Sequence, residues 1–377
     1  MPAVDVVVYA ASAGPFYGGS GVPGGAELQS YYIARAVASA GLRVRHVVAD
    51  AEISRTPEGV EVFRLPRSYA EPGIPRRLAI VQGLRRSDAR LYIQRTAGIE
   101  TGFAGVYARL AGRRFVFSSS HDAEFVRDPE LLRQQGGGLD SWSARTQARI
   151  GMRCAHAVVV QTEQQAVLAR RSLGRPTHVI RSFCELGAAR PASRDVFLWV
   201  GGFLGTKNPH SLLDLAERVP NGRFVMVARE RVGWEQLARS VRERAVRVPN
   251  VELLPPRPRD ELLGLYERAL AVVSTSLAEG LSNVFLEGWA RGVPTLSLHL
   301  DPDGVITRHG LGAVADGSID ELARLSRLYL DDPTIAEAAG DAAHQYVRET
   351  HAPEVIGAAW AALVERLLRG RERTLSR

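Results

Sequence analysis

Only two cysteines, Cys154 and Cys184, occur in 377 residues, so neither a disulfide scaffold nor a multi-cysteine zinc site is available, and a reducing compartment is expected. Lysine is scarcer still. Of the 48 basic side chains 47 are arginine, and Lys207 is the remaining one. A chain that uses the planar guanidinium nearly everywhere marks its one ammonium as a position where a compact point charge is wanted. No apolar run reaches the roughly 18 residues that a membrane helix needs. The opening MPAVDVVVYA has no basic segment ahead of its short apolar stretch, so no secretion signal is read and a cytoplasmic location is expected. The nine histidines and two cysteines show no spacing such as H-E-x-x-H or C-x-x-C, and no essential metal is expected.

What is present is the composition of an ordinary globular protein, 45% hydrophobic and 24% charged, with length for two to three domains. The net charge of +7 is unevenly spread. Residues 1–188 hold 24 Arg against 16 Asp and Glu, or +8, and the remainder holds 24 Lys and Arg against 25 acids, or −1. The pairs Arg76-Arg77, Arg85-Arg86, Arg113-Arg114 and Arg170-Arg171 carry much of the excess. No aromatic interleaving accompanies them, so nucleic acid is not expected as a partner. A solvated basic surface and a peripheral contact with an anionic membrane, at its inner face, both remain open.

Short β-branched runs alternate with helical periodicity, which predicts an α/β protein with mainly parallel sheets. Strands are expected at 4–10, 42–48, 60–65, 90–94, 114–119, 156–161 and 178–182, and a helix at 26–40. The segment ELGAARPASRD at 185–195 reads as a linker. A second series follows, with strands VFLWVGG, GRFVMVA, VELL, AVVSTS and VPTLSL and helices between them. The expected domains are 1–188 and 189–353, with the last helix, 354–377, packing back on the first. Two such sheets predict a cleft, with chemistry in loops at the carboxyl ends of the strands.

Three loops carry candidate chemistry. In SLAEGLSNVFLEGWARGVP, Glu279 precedes a helix 283–291 that Ser282 would cap, and the amides of Leu281, Ser282, Asn283 and Val284 suit an anion such as a diphosphate. Glu287 sits in the second turn, where it would accept hydrogen bonds from hydroxyls. Alternatively, Asn283, Glu287 and Arg291 form a solvated polar stripe with an ordinary i,i+4 ion pair. In VGGFLGTKNP, three glycines lead to Lys207, although the spacing is not that of a Walker A loop. In the first loop, Gly19, Gly21 and Gly24 spell G-x-G-x-x-G and invite a dinucleotide reading with Asp50, but both the turn and the spacing to Asp50 are too long. The loop reads instead as a flexible, substrate-facing segment in which Gly24 and Gly25 let backbone approach a ligand. His121 follows strand RFVFSSS and would point toward the sheet's carboxyl end.

Taken together, these motifs resemble glycosyltransferase family 4, the retaining enzymes of the GT-B fold. The E-x7-E pattern is matched by Glu279 and Glu287 within EGLSNVFLE, followed by the GVP turn, and Gly24, Gly25 and His121 match weaker N-terminal features. The resemblance implies two Rossmann-like domains, a nucleoside-diphosphate sugar as donor and a hydroxyl acceptor. It implies that Glu279 meets the donor sugar, Glu287 the ribose, Lys207 the diphosphate with the amides of 281–284, and His121 the donor sugar from the other domain. Gly24 and Gly25 would border the reaction centre. One departure stands out: where the family has an arginine five residues before the lysine, this chain has Gly202, so another arginine such as Arg229 substitutes or the leaving group is stabilised less. The family's N-G-[VI] segment near the linker is also missing. A non-catalytic nucleotide- or sugar-binding protein and a NAD-dependent oxidoreductase are the rival readings.

Overall fold

In the computed structural model, residues 2–21, 24–126, 141–187 and 194–370 are described. The chain forms two compact units. The first comprises the described residues up to Val126, those from 141 to Phe183, and those from Pro353 on; the second is Cys184–Ala352. The boundary expected at 188 and most of the expected linker fall at residues 188–193, outside the described residues, as does the end of the last helix, 371–377.

The first unit runs β1 (Val4–Tyr9), a 3-10 turn (Ala11–Tyr17), α1 (Gly25–Ser39), β2 (Val44–Val48), β3 (Glu61–Arg64), α2 (Ile74–Ser87), β4 (Ala89–Arg95), α3 (Ile99–Leu110), β5 (Arg114–Ser118), α4 (Trp142–Cys154), β6 (Ala157–Val160), α5 (Glu163–Leu173) and β7 (His178–Val179). The C-terminal helix Pro353–Arg369 completes it. Its seven strands are paired in parallel in the order β3-β2-β1-β4-β5-β6-β7. Alternation along β1 decides which layer each side chain joins. Val6 and Val8 pack with Ile33 and Val37 of α1 and with Trp360 and Val364 of the C-terminal helix. Val7 and Tyr9 pack on the opposite face, with Ile80 and Leu84 of α2, Ala104 and Ala108 of α3, and Ala148 and Met152 of α4. Trp360 is fully buried, and burying a side chain of this class contributes about 1.5 to 3 kcal/mol.

The second unit runs β8 (Val196–Gly202), α6 (His210–Arg218), β9 (Phe224–Arg229), α7 (Glu235–Ala245), β10 (Val251–Leu254), α8 (Arg259–Arg268), β11 (Ala269–Ser274), α9 (Asn283–Trp289), β12 (Thr295–Ser297), α10 (Val305–His309), β13 (Gly312–Val314), α11 (Ile319–Asp331) and α12 (Pro333–Thr350). The order is β10-β9-β8-β11-β12-β13, again parallel throughout. In each sheet the strand order reverses direction at one place, between β1 and β4 in the first and between β8 and β11 in the second. Loops diverge there and leave a crevice at the carboxyl ends of the strands.

Two expectations need adjustment, in the first loop and at the end of α9. The loop after β1 is not wholly flexible: it begins as the 3-10 turn, whose Tyr17 is buried with its hydroxyl 2.5 Å from His46 Nδ1. Asp50, whose spacing already spoke against a dinucleotide site, accepts both the amide and the hydroxyl of Ser20 and so fastens that loop. The helix expected at 283–291 ends at Trp289, since Gly292 takes a left-handed conformation with φ 64° and turns the chain into β12. Among the described residues, no helix is long and apolar enough to cross a membrane.

Candidate functional site

The reversal in the second sheet brings the loop after β8 beside the loop after β11. Lys207 closes a one-turn 3-10 helix, Gly205–Lys207, and Asn208 follows at φ 45°, a left-handed position that asparagine tolerates well. Buried Thr275 pins this turn: its hydroxyl donates to the Lys207 carbonyl at 2.7 Å and accepts the Trp199 indole N–H at 3.0 Å. The Leu277 amide adds a bond to the Thr206 carbonyl at 2.8 Å. Held in this way, the Lys207 ammonium lies 2.7 Å from Glu279 Oε1, and both side chains are mostly buried. The Ser282 hydroxyl donates to the same carboxylate oxygen at 3.2 Å and accepts the Val284 amide at 3.3 Å as the cap of α9. The lone lysine, the first carboxylate and the start of α9 therefore converge. The Val284 amide is taken by its cap.

Glu287 lies one layer deeper. It is 8% exposed, which excludes a solvated stripe, and its Oε1 accepts from Arg259 Nη1 of α8 at 2.8 Å. Arg291 reaches only the Glu287 backbone carbonyl. Burial and the Glu287 carboxylate drive the Tyr266 phenol well above its ordinary range, and burial drives the Cys184 thiol up to about 12, so neither is a nucleophile. Sequence reasoning missed Arg259, because it is 28 positions from its partner and belongs to a different helix.

Gly202 ends β8 in register with Arg229 of β9. The group that fills its missing side chain is Arg231. A Cβ at Gly202 would stand 3.2 Å from Arg231 Nε and 3.3 Å from its Cγ. Glycine is what permits an arginine from the next loop to lie against the strand end that leads into the Lys207 turn. Arg229 contributes its backbone carbonyl, which accepts the Phe203 amide.

In the first unit the corresponding reversal is built differently. Thr96, at the end of β4, sits at φ 69°, a strained position for a β-branched residue. Its hydroxyl donates to Ser120 at 2.9 Å. Behind it lies the buried carboxylate of Glu124, which accepts from the Ala97 amide, the Ser119 hydroxyl at 2.6 Å, and the amide and hydroxyl of Ser120. Burial outweighs these bonds and raises the Glu124 carboxyl above its usual range, and desolvation lowers nearby Arg95 to about 10. His121 caps the turn Asp122–Glu124, its Nδ1 accepting the Ala123 amide at 3.1 Å, so a neutral ring carries its proton on Nε2. Gly24 caps α1 in extended conformation and Gly25 opens the helix; the Glu27 carboxylate folds back to within 2.6 Å of where a Gly24 side chain would begin. Among the described residues, no three His, Cys, Asp or Glu side chains gather as a metal site requires.

Residues 24–182 match the family described as glycosyl transferase 4-like domain, and residues 188–346 match glycosyl transferases group 1. The chain belongs to glycosyltransferase family 4. It is 25% identical over 117 residues to glycosyltransferase 1 domain-containing protein 1 of Xenopus tropicalis, a match covering 31% of this chain and 34% of that relative's length. Among solved structures, the family 4 chain resembles sucrose-phosphate synthase from Thermosynechococcus elongatus with a TM-score of 0.80 at 18% identity, over 97% of this chain and 99% of the other. It also resembles Anabaena HepE, solved with UDP and glucose, with a TM-score of 0.75 at 18% identity, over 96% and 99%. At this identity the likeness speaks for the fold, and the fold of this family 4 member is GT-B.

Proposed function

We propose that this family 4 protein transfers a sugar from a nucleoside-diphosphate donor to a hydroxyl acceptor with retention of anomeric configuration, as a hexosyltransferase without an essential metal. The observation that carries the reading is the convergence of Lys207, Glu279 and the Ser282 cap at the strand-order reversal of the second sheet. As the bond from the anomeric carbon to the diphosphate breaks, negative charge grows on the departing phosphate oxygen. A fixed ammonium and backbone amides nearby stabilise that charge without reorganising. Glu279 neutralises Lys207 across their 2.7 Å ion pair. An incoming diphosphate takes over the ammonium and turns the carboxylate toward donor-sugar hydroxyls. Glu287, oriented by Arg259, accepts from the ribose, and Arg231 supplies the guanidinium absent at position 202. Within the first unit, His121, with its Nδ1 taken by the Ala123 amide, and the backbone at Gly24 and Gly25 are the candidates for facing substrate. HepE, which shares the fold, holds UDP and glucose, and this supports a nucleotide-sugar donor.

Gly202 alone would favour a binding protein without turnover; the arginine packed against it favours an enzyme. The deciding experiment incubates the protein with a panel of nucleoside-diphosphate hexoses and follows free nucleotide and the anomeric proton of any glycoside by NMR. Release of nucleoside diphosphate with an axial-linked product from an axial-linked donor is expected. An inverted product refutes retention, and tight nucleotide binding with neither transfer nor donor hydrolysis leaves a binding protein.

A further inference from the structure

The face of the first unit covered by α2, α3 and α4 combines two features that a soluble surface seldom combines. All three helices pack on one side of the sheet, in the same core as Val7 and Tyr9. Two contacts lock them side by side. Arg76 of α2 pairs with Glu100 of α3 at 2.9 Å. Between α3 and α4 the backbones nearly touch, since a Cβ at Gly105 would stand 2.6 Å from the Gly151 carbonyl oxygen and one at Gly151 would stand 2.0 Å from that of Thr101. The outer stripes of the three helices therefore form one continuous surface.

That surface is apolar at intervals and cationic between them. Ile74 is 70% exposed and Leu78 57% on α2, Leu110 is 84% exposed on α3, and Trp142 is 74% exposed on α4. Val106 and Ile150 extend the α3 and α4 stripes at helical spacing. The three helices hold eight arginines and one carboxylate, Glu100, which is already paired with Arg76. Their sum of +7 equals the net charge of the entire chain. A second copy docking through the same face would set eight arginines against eight, so charge opposes a symmetric dimer there.

We propose that this face docks on an anionic lipid bilayer, with the exposed Arg77, Arg85, Arg86, Arg109 and Arg153 at the phosphate level and Ile74, Leu78, Leu110 and Trp142 entering the headgroup boundary. Neither feature suffices by itself: scattered arginines give a salt-sensitive attraction, and four exposed apolar side chains give a shallow anchor. Their alternation on one helical layer gives both. The inference rests on the first unit alone and is independent of the chemistry assigned to Lys207.

Flotation with vesicles tests it, using phosphatidylcholine alone and an equimolar mixture with phosphatidylglycerol. The full chain is expected to float with the mixed vesicles at low salt and to remain in solution with phosphatidylcholine. Removing one arginine is expected to lower partitioning about fivefold, as a surface attraction of about 1 kcal/mol per basic residue requires. Arg85→Gln and Arg86→Gln combined are then expected to lower it by more than tenfold. Leu110→Ser with Trp142→Ser should also release the protein, although the charge is unchanged. All four side chains are exposed, and unchanged melting temperature checks that the variants are folded. Absence of flotation with anionic vesicles overturns the proposal, as do equal binding to both vesicle types, equal binding by the variants, and self-association through this face.

Discussion

The two units share a strand-order reversal and each puts a glutamate in a loop beyond the carboxyl ends of its strands, yet the two carboxylates do opposite things. Glu124 in the first unit is an internal strut, surrounded by four hydrogen bonds from a serine pair and two backbone amides. Glu279 in the second meets the Lys207 ammonium at 2.7 Å and the Ser282 hydroxyl at 3.2 Å. A carboxylate saturated by rigid neighbours can only hold shape. One paired with a lysine side chain at a crevice can exchange that partner for a ligand. The units also differ in what their cations meet: the first spreads arginine over an outer helical layer, and in the second Lys207 meets Glu279 and Arg259 meets Glu287.

The sharpest way to break this contrast is Lys207→Ala. Losing one preorganised group that meets developing charge is expected to lower turnover about 10²- to 10³-fold with the melting temperature nearly unchanged. Arg231→Ala is expected to fall in the same direction by less. Steady-state rates of nucleotide release measure both, and near-wild-type turnover by Lys207→Ala would return the ion pair to a structural role.

The next effect belongs to the first unit and to pH. Burial holds His46 down to about 3, whereas an unfolded histidine titrates near ~6.5. The folded state keeps the ring neutral, so its contribution to stability is complete above about pH 6.5 and is lost as pH falls toward 3. Thermal melts at stepped pH should show the first unit weakening on the acid side by up to a few kcal/mol. The variant His46→Gln should be less stable at neutral pH and flatter below it. Parallel curves for the two proteins would contradict the assignment.

The smallest expected change is Glu287→Ala. Hydrogen bonds to charged groups contribute about 1.5 to 3 kcal/mol, so nucleotide affinity by calorimetry should fall by roughly 10- to 150-fold. Unchanged affinity would mean that Glu287 serves only Arg259. Against Lys207→Ala, which should act mainly on rate, this variant separates binding from chemistry within one crevice.

How much of this was legible in the sequence varied with distance along the chain. The seven residues of VFLWVGG and the β1 run read directly as buried strands, because period and β-branching are local. Lys207 stood out by count, and Glu279 and Glu287 by resemblance to the family's E-x7-E pattern. The strand expected over 178–182 shrank to His178–Val179, since an edge strand is limited by its neighbour and not by its own propensity. The three-residue β13 left no periodic signal at all. Arg229 was the arginine suggested for the gap at Gly202, and only packing revealed that Arg231 lies there.

The sequence by itself determined the alternation of strands and helices, the loops at the strand ends and the kinds of charge each loop would carry. Those properties depend on neighbours within a few positions. The tertiary structure alone decided that Lys207 meets Glu279 across 72 positions, that Glu287 answers to Arg259, and that the basic pairs of α2 share a layer with exposed leucine and tryptophan. Such pairings come from the order of strands in a sheet and the close approach of helices, and no local pattern of side chains encodes either.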